Sequence, residues 1–285
     1  FQYYPKLINA IPFTPCSGPR IGLADGYSDS EVVPLIEAEL TKQHDVSNLQ
    51  CLYVTPELSK TLANDGWWQR FDIQFLWQNR DYRSFDDFLA ALVSRKRKSI
   101  RKERRQVTEQ GVTMKVLAGD DLDEVFWQQF TRFYQRTYLK RSGHGGYLTP
   151  ETLNLWGKHL ADNIVVFAAY REQQLVAASL CFRGQDTLYG RYWGCIEELE
   201  FLHFEACYYQ GIEYCIAHGL AYFDAGAQGE HKLHRGFEPV LREGFYRFMP
   251  SPLNEAVEQF CGQERTAIQE HMSRLAGVVP FKNKA

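Results

Sequence analysis

The sequence has no CxxC pair. Its seven cysteines, Cys16, Cys51, Cys181, Cys195, Cys207, Cys215 and Cys261, are odd in number and scattered. That excludes a disulfide framework and a zinc ribbon, and it fits a reducing compartment, so a cytoplasmic location is expected. No apolar run approaches the roughly 20 residues of a membrane span, and no secretory leader is expected. Short-period repeats and low-complexity tracts are missing too, which excludes solenoids and disordered arrays. Net positive charge is also lacking: 32 Lys and Arg against 35 Asp and Glu leave −3. A protein basic throughout is thereby excluded, but a local basic patch is not. The first residue is Phe1 rather than Met, and an upstream segment is expected to be missing.

What is present is a chain of 285 residues, 45% hydrophobic and 24% charged, the balance of a folded globular protein of one large or two ordinary domains. Its 19 Phe, 16 Tyr and 6 Trp predict a well-filled core and an aromatic-lined cleft. Residues 1–26 are turn-rich. A helix is predicted over 29–44, a strand over 50–55, and a helix over 56–64 with Thr55 as cap and Pro56 at its first position. Phe71, Ile73, Phe75 and Trp77 alternate as on a half-buried strand. Ser84, with Asp87 three residues on, opens a helix whose stripe of Val93, Ile100 and Val107 runs on to Gly111. Next come a strand over 112–117, helices over 120–140 and 150–160, and three strands over 164–170, 174–182 and 187–193. A helix over 199–218, strands over 220–224 and 240–248, and a helix over 253–275 complete the order. Residues 1–83 are taken as a partial first domain, 84–110 as a connecting helix and 111–285 as a second domain.

Four segments carry chemical signals. Between Arg95 and Arg105, eight of eleven residues are basic and only Glu103 is acidic. Such density reads as a polyanion site on Arg95, Arg97, Lys98, Arg101 and Arg104, or as a solvated face. Gly190-Arg-Tyr-Trp-Gly194 ends a strand, and its glycines admit close approach by a ligand or a neighbouring chain. On the helix after it, Glu205 falls in the middle of an apolar face, where a carboxylate must be paired, hydrogen-bonded or protonated. An ion pair with an arginine such as Arg191 is one reading and catalysis the other. A second stripe carries His203 and Cys207. The richest cluster is Gly226-Ala-Gln-Gly-Glu-His-Lys-Leu-His-Arg-Gly-Phe-Glu-Pro239, with titratable groups beside flexible backbone. Aminolysis needs a base, an oxyanion site and an acid. Glu230 or His231 could be the base, and Lys232 and Arg235 could hold a phosphate or carboxylate. His231, His234, His203 and Cys207 could instead supply four zinc ligands, though on loop spacing that is the weaker reading, and no metal is expected. No local motif supports a Cys–His nucleophile.

Together these motifs resemble the FemAB-like N-acyltransferases. The resemblance rests on Gly190–Gly194, on Leu202-His-Phe-Glu205 with Cys207-Tyr-Tyr-Gln210, and on Gly226-Ala-Gln-Gly-Glu-His-Lys232 with Arg235-Gly-Phe237. Upstream, Tyr4-Pro-Lys6, Pro12-Phe-Thr-Pro15, Gly18-Pro-Arg20 and residues 74–105 extend it over nearly the whole chain. It implies an α/β (α+β) fold of tandem GNAT-like acyltransferase domains, the first incomplete, with mixed twisted sheets flanked by helices. It also implies transfer of an aminoacyl or acyl group to a primary amine, such as that of a peptidoglycan precursor. On this reading Glu230 or His231 is the base, Glu205 and His203 orient the site, and backbone N–H groups near Tyr192 and Trp193 meet the oxyanion. Lys232, Arg235 and Arg191 hold anionic groups, and Tyr208, Gln228 and Trp77 complete the substrate-binding set. No cofactor is implied: the donor is a co-substrate, aminoacyl-tRNA or acyl-CoA. Acyl-CoA enzymes of this fold carry a Gly-rich loop for pyrophosphate at a helix N-terminus. Here that loop is Gly194-Cys-Ile-Glu-Glu198, and Glu197 and Glu198 argue for another donor. The alternatives are an acyl-CoA-dependent N-acyltransferase and a non-catalytic protein that binds RNA or a wall precursor.

Overall fold

The computed structural model describes residues 4–43, 45–227, 229–252 and 254–282. It divides into two compact units, one of Phe1–Gln74 with Pro239–Val278 and one of Phe75–Glu238 with Val279–Ala285.

In the first unit β1 (Lys6–Asn9) pairs parallel with β2 (Asn48–Leu52). Helices α1 (Asp29–Gln43) and α2 (Pro56–Asn64) follow where the sequence predicts them, with His44 outside the described residues. Thr55 caps α2 by accepting the Leu58 N–H, and Pro56 fills the first turn, where its missing donor costs nothing. Val33, Cys51, Val54, Leu58, Leu62 and Phe245 form the core. The chain leaves this unit within β3 (Trp68–Gln78) and returns in β9 (Glu238–Phe248), which pairs antiparallel with β2. The long helix α9 (Asn254–Ala276) follows, with Leu253 outside the described residues.

The second unit holds the expected mixed sheet flanked by helices. The end of β3 pairs antiparallel with β8 (Tyr222–Asp224), and β8 pairs parallel with β7 (Thr187–Cys195). From β7 the sheet continues antiparallel through β6 (Gln174–Arg183) and β5 (Ile164–Arg171) to β4 (Val112–Ala118). The middle of β5 and most of β6 are buried on both faces, as their unbroken apolar runs require. Helix α5 (Glu124–Ser142), capped by Asp123, and α6 (Pro150–His159), capped by Thr149, pack a core of Phe126, Trp127, Phe130, Phe133 and Leu153. Gly194 is where β7 meets α5, because a Cβ there would lie 2.3 Å from the Phe133 carbonyl oxygen.

Two predicted helices differ in detail. The helix read as continuous from Ser84 is broken into α3 (Phe85–Ala91) and α4 (Ser94–Glu109). Leu92 is extended, Val93 N–H donates to Pro280 O at 2.8 Å, and Lys282 N–H donates to Ala91 O at 3.0 Å. The chain terminus thus takes up backbone groups that a helix would have paired internally, and Val93 is 38% exposed while Ile100 and Val107 are buried. The helix predicted over 199–218 begins at Leu202 and is not uniform. A short α7 (Leu202–Phe204) leads into a π-helical turn, Glu205–Tyr209, and then α8 (Gln210–Ala217). Among the described residues no helix is long and apolar enough to cross a membrane.

Candidate active site

Strands β7 and β8 stay paired for only three residues, Thr187↔Tyr222, Leu188↔Phe223 and Tyr189↔Asp224. There β8 ends, while β7 runs on to Cys195 with β6 alone beside it. From Gly190 onward no described strand pairs with that edge of β7. A register shift opposite Leu180 and Cys181 leaves Arg191 as the extra residue of a bulge. Its side chain is 3% exposed and meets Asp224 at 3.3 Å. Arg191 Nη1 also donates to Gly190 O at 2.7 Å. Arg191 is thus the partner of Asp224 rather than of Glu205.

Past Asp224 the chain turns sharply. Gly226, at φ +88°, donates its N–H to Asp224 Oδ1 at 3.0 Å. Gly229, at φ +112°, opens a 310 turn, Glu230–Arg235, and Gly236 closes it in the left-handed region, where glycine is unstrained. This turn exposes Glu230, His231 and His234 and buries Lys232, Leu233 and Arg235. Lys232 Nζ donates to Gly226 O. Burial brings the Lys232 ammonium down to about 8, against the opposing pull of Asp224. Gln228 lies outside the described residues.

The π-helical turn completes the site. On a regular α-helix, residues five apart are separated by roughly 140° around the axis, so the sequence put His203 and Tyr208 on different stripes. A π turn closes its hydrogen bonds at five residues and brings them together edge to face, ring centroids 5.4 Å apart. Tyr208 Oη lies 2.8 Å from His231 Nε2. Trp193 of β7 meets the His203 ring at 5.4 Å. His203, Tyr208, His231 and Lys232 thus converge beside the open edge of β7. Burial, reinforced by the charge of His231, Arg141, Arg235 and Lys232, lowers the His203 imidazole to about 4. Desolvation of the His231 ring, then Arg235 and Lys232, lowers its pKa as well. Burial raises the Tyr208 phenol, so it stays protonated. Both imidazoles are therefore neutral at neutral pH, beside a tyrosine that keeps its proton.

Other candidates lie elsewhere or are committed. Glu205 is 4% exposed and takes Arg104 Nη2 at 2.9 Å and Gln210 Nε2 at 2.7 Å. Arg104 also reaches Glu213 at 2.8 Å. Burial opposes its charge, but Glu205 and Glu213 together hold its pKa above the ordinary value. Arg104 is thus part of an internal network, and Arg101 pairs with Asp86 at 2.8 Å. Arg95 and Lys98 are exposed and Arg97 is half-buried on α4. Tyr192 turns to the core, against Tyr134 and Trp156. Trp77 is fully buried among Phe88 and Tyr82, away from solvent. A cavity of ≈ 420 Å³ borders Arg104, Glu205 and Gln210, and one of ≈ 590 Å³ is lined by Asp121, Phe126, Arg132 and Phe133, none of them a predicted site residue. Among the described residues no three His, Cys, Asp or Glu gather as metal ligands.

Three residues join the site that sequence reasoning did not place there. Asp224 anchors Arg191, Phe204 lies 3.5 Å under the Arg235 guanidinium, and Glu103 binds Arg235 at 3.0 Å. Only Glu103 carried a usable signal: it is the lone acid of the basic run and lies in step with Ile100 and Val107.

A family model for FemAB-like proteins, described as peptidoglycan biosynthesis/recognition, matches residues 1–283. The fold is similar to that of L-PGS from Bacillus licheniformis, with a TM-score of 0.55 at 11% identity over 82% of this chain and 77% of that one. It is similar to FemX, with a TM-score of 0.53 at 13% identity over 88% and 85% of the two chains. A conserved protein of unknown function from Bacteroides thetaiotaomicron gives 0.51 at 14% identity over 78% and 75%. Among curated proteins nothing matches.

Proposed function

Because the chain belongs to the FemAB-like family, we propose that it is an N-acyltransferase that moves an aminoacyl or acyl group from an activated donor directly to a primary amine. The acceptor is a peptidoglycan precursor, and the donor is aminoacyl-tRNA. The observation that carries this reading is the parting of β7 from β8 after Tyr189↔Asp224, with His203, Tyr208, His231 and Lys232 gathered on the open edge.

The chemistry follows from those groups. The donor carbonyl sits against the backbone N–H groups near Tyr192 and Trp193, which meet the oxyanion. Neutral His231 takes a proton from the acceptor ammonium, and the amine nitrogen bonds to the carbonyl carbon. The carbon–oxygen ester bond breaks, Tyr208 gives its proton to the leaving oxygen, and the nitrogen sheds its second proton to water, which leaves a neutral amide and a free hydroxyl. His231 then returns a proton to Tyr208 across their hydrogen bond. Glu230, exposed at the start of the 310 turn, is the second candidate base. Lys232, buried on the Gly226 carbonyl, and Arg191, buried on Asp224 and the Gly190 carbonyl, shape the wall of the site, and His203 packs the acceptor side.

The preference for a donor other than acyl-CoA rests on the loop after β7. Glu197 pairs with Arg171 at 2.5 Å and Glu198 with Lys140, so their repulsion of a pyrophosphate is weaker than their number implies. More telling, Glu200 N–H is taken by Gln110 at 3.1 Å, and the helix opens with only three α-helical residues. So short an α-helical start offers a phosphate little of the aligned backbone that an anion site at a helix N-terminus uses. The outer face of α4, with Arg95, Lys98 and Lys102 exposed, suits a tRNA backbone, and the setting is the cytoplasm.

Thermal denaturation with tRNA, a nucleotide-linked precursor and CoA esters tests the reading. Stabilisation by tRNA and precursor is expected, with none by CoA esters. Stabilisation by CoA esters alone would move the chain to the acyl-CoA class. Binding with no product in single-turnover assays would make it a binding protein. Reversing Arg95, Lys98 and Lys102 to Glu is expected to weaken tRNA binding. The slope of log affinity against log salt should become shallower by roughly 0.7–0.9 for each phosphate that the variant no longer neutralises.

A further inference from the structure

The basic run between Arg95 and Arg105 contains one acid, and it points inward. On α4 the buried positions are Ile100, Glu103 and Val107, spaced three and four apart as one helix face requires. Glu103 Oε2 accepts the Tyr209 hydroxyl and Arg235 Nη2, the latter at 3.0 Å, and Oε1 accepts Ser99 Oγ at 3.2 Å. Arg235 passes the connection on. Its Nη1 donates to the His231 carbonyl at 3.0 Å, and its guanidinium lies 3.5 Å over the Phe204 ring. Phe204 in turn stands 5.7 Å from the His231 ring. One carboxylate therefore ties together the π-helical turn, through Tyr209, and the 310 turn, through Arg235.

Stability alone does not call for such a group. Taking a carboxylate and a guanidinium out of water costs about what their attraction returns, and well-packed apolar residues usually do as well. What the buried pair supplies is a fixed separation between the two turns. The Tyr208–His231 hydrogen bond spans that same separation.

We propose that Glu103 is a positioning residue for the transfer reaction, holding Arg235 so that His231 stays in register with Tyr208. Its role presupposes acyl transfer at the parted strands. Misplacement by about 1 Å near reacting groups can cost on the order of 100-fold in rate. Glu103→Gln keeps the volume and the acceptor for Tyr209 but removes the charge facing Arg235. In the full chain, kcat is expected to fall roughly 10- to 100-fold, with KM for the acceptor within about twofold. Glu103→Asp, which restores the charge on a shorter arm, is expected to recover part of the loss. Arg235→Gln should lower kcat similarly, and adding Glu103→Gln to it should cost less than about twofold more.

The second readout needs no turnover: the titration of the His231 ring followed by NMR. The groups facing that ring are Tyr208 and His203 from the π-helical segment, and Lys232, His234 and Arg235 from its own turn. With the Glu103 charge gone, Arg235 acts undiminished, and His231 should titrate at lower pH. A merely structural role would leave that midpoint in place. A folded Glu103→Gln chain with wild-type kcat and a wild-type His231 midpoint overturns the proposal, as does full additivity with Arg235→Gln. If the wild-type chain transfers nothing to any acceptor, the acyl-transfer reading fails, and the catalytic role of Glu103 with it. An unchanged His231 midpoint in an active enzyme would instead sink the Glu103 linkage alone.

Discussion

Two short turns flank the parted strands, and they place their carboxylates in opposite ways. The π-helical turn Glu205–Tyr209 is fastened by side chains. Glu205 goes to Arg104 and Gln210, and Tyr209 goes to Glu103. The 310 turn Glu230–Arg235 is bracketed by left-handed Gly229 and Gly236 and held from beneath by two buried cations, Lys232 on the Gly226 carbonyl and Arg235 on Glu103. The first turn buries its carboxylate, and the second exposes Glu230 and His231. The difference separates two tasks that one motif-rich stretch of sequence blends together. The fastened turn sets where the tyrosine stands, and the exposed turn brings titratable groups to it. Loss of the buried carboxylate of the first turn should therefore read out in stability, and changes at the groups that meet between the turns in turnover.

The largest expected effect is on turnover and falls on the pair that joins the turns. His231→Gln should lower kcat by about 100-fold or more, the usual worth of a general base. Tyr208→Phe should lower it similarly, because the leaving group then departs without its proton. Steady-state kinetics with a tRNA-linked donor checks both, and full activity in each would remove the proton relay. The next effect is on stability. Glu205→Gln strips the charge from a carboxylate that Arg104 contacts with two nitrogens. Breaking a fully buried pair costs about 3–5 kcal/mol. Arg104 is a quarter exposed and keeps Glu213, so about 1–3 kcal/mol is expected in urea denaturation. A Glu205→Gln chain that is stable but inactive would reverse the division of tasks.

The same contrast has a pH signature. His203 is held neutral in the folded chain, its pKa lowered by burial to about 4 from an ordinary 6.5. Between these values the unfolded chain binds a proton that the folded chain does not, so stability falls as pH drops from about 6.5 towards 4. Above 6.5 the group contributes no slope. His203→Phe should flatten the stability curve in that window while leaving the plateau above pH 7 nearly unchanged. Denaturation midpoints measured at pH 7, 6, 5 and 4.5 check this, and identical slopes in variant and wild type would mean that His203 protonates freely when folded.

Much of this arrangement could be read from the sequence, because much of it is local. Thr55 before Pro56 and Ser84 before Asp87 each cap a helix where expected, since a cap needs only its own first turn. The apolar runs of β5 and β6 were equally plain. What was hidden depends on distant chain or on hydrogen-bond register. The break at Leu92 needs Pro280 and Lys282, almost two hundred residues away. The π turn leaves no mark in composition, yet it decides that His203 faces Tyr208. Glu205 was correctly seen to need a partner, but Arg191, one candidate, is the extra residue of a bulge and goes to Asp224. Gly194 was open to a ligand or a chain as its close neighbour, and the neighbour is the Phe133 backbone.

The smallest expected effect on stability belongs to Glu230→Gln, and it is the sharpest test of the contrast. Glu230 opens the 310 turn after Gly229, and its residue is exposed, whereas Glu205 is 4% exposed. An exposed carboxylate gains little from any single neighbour, because water and salt screen it. Removing its charge should shift the melting temperature by no more than about 2 °C, the scale of an ordinary surface substitution. Turnover is then free to decide its role. If His231 is the base, Glu230→Gln keeps most of its activity, and any loss appears in KM for a cationic acceptor. If Glu230 is the base, kcat falls by about 100-fold, and the acid limb of the pH–rate profile moves or vanishes with it. A Glu230→Gln chain that melts as early as Glu205→Gln would mean that the Glu230 carboxylate is itself a fastening of the 310 turn, and the contrast between the two turns would not survive.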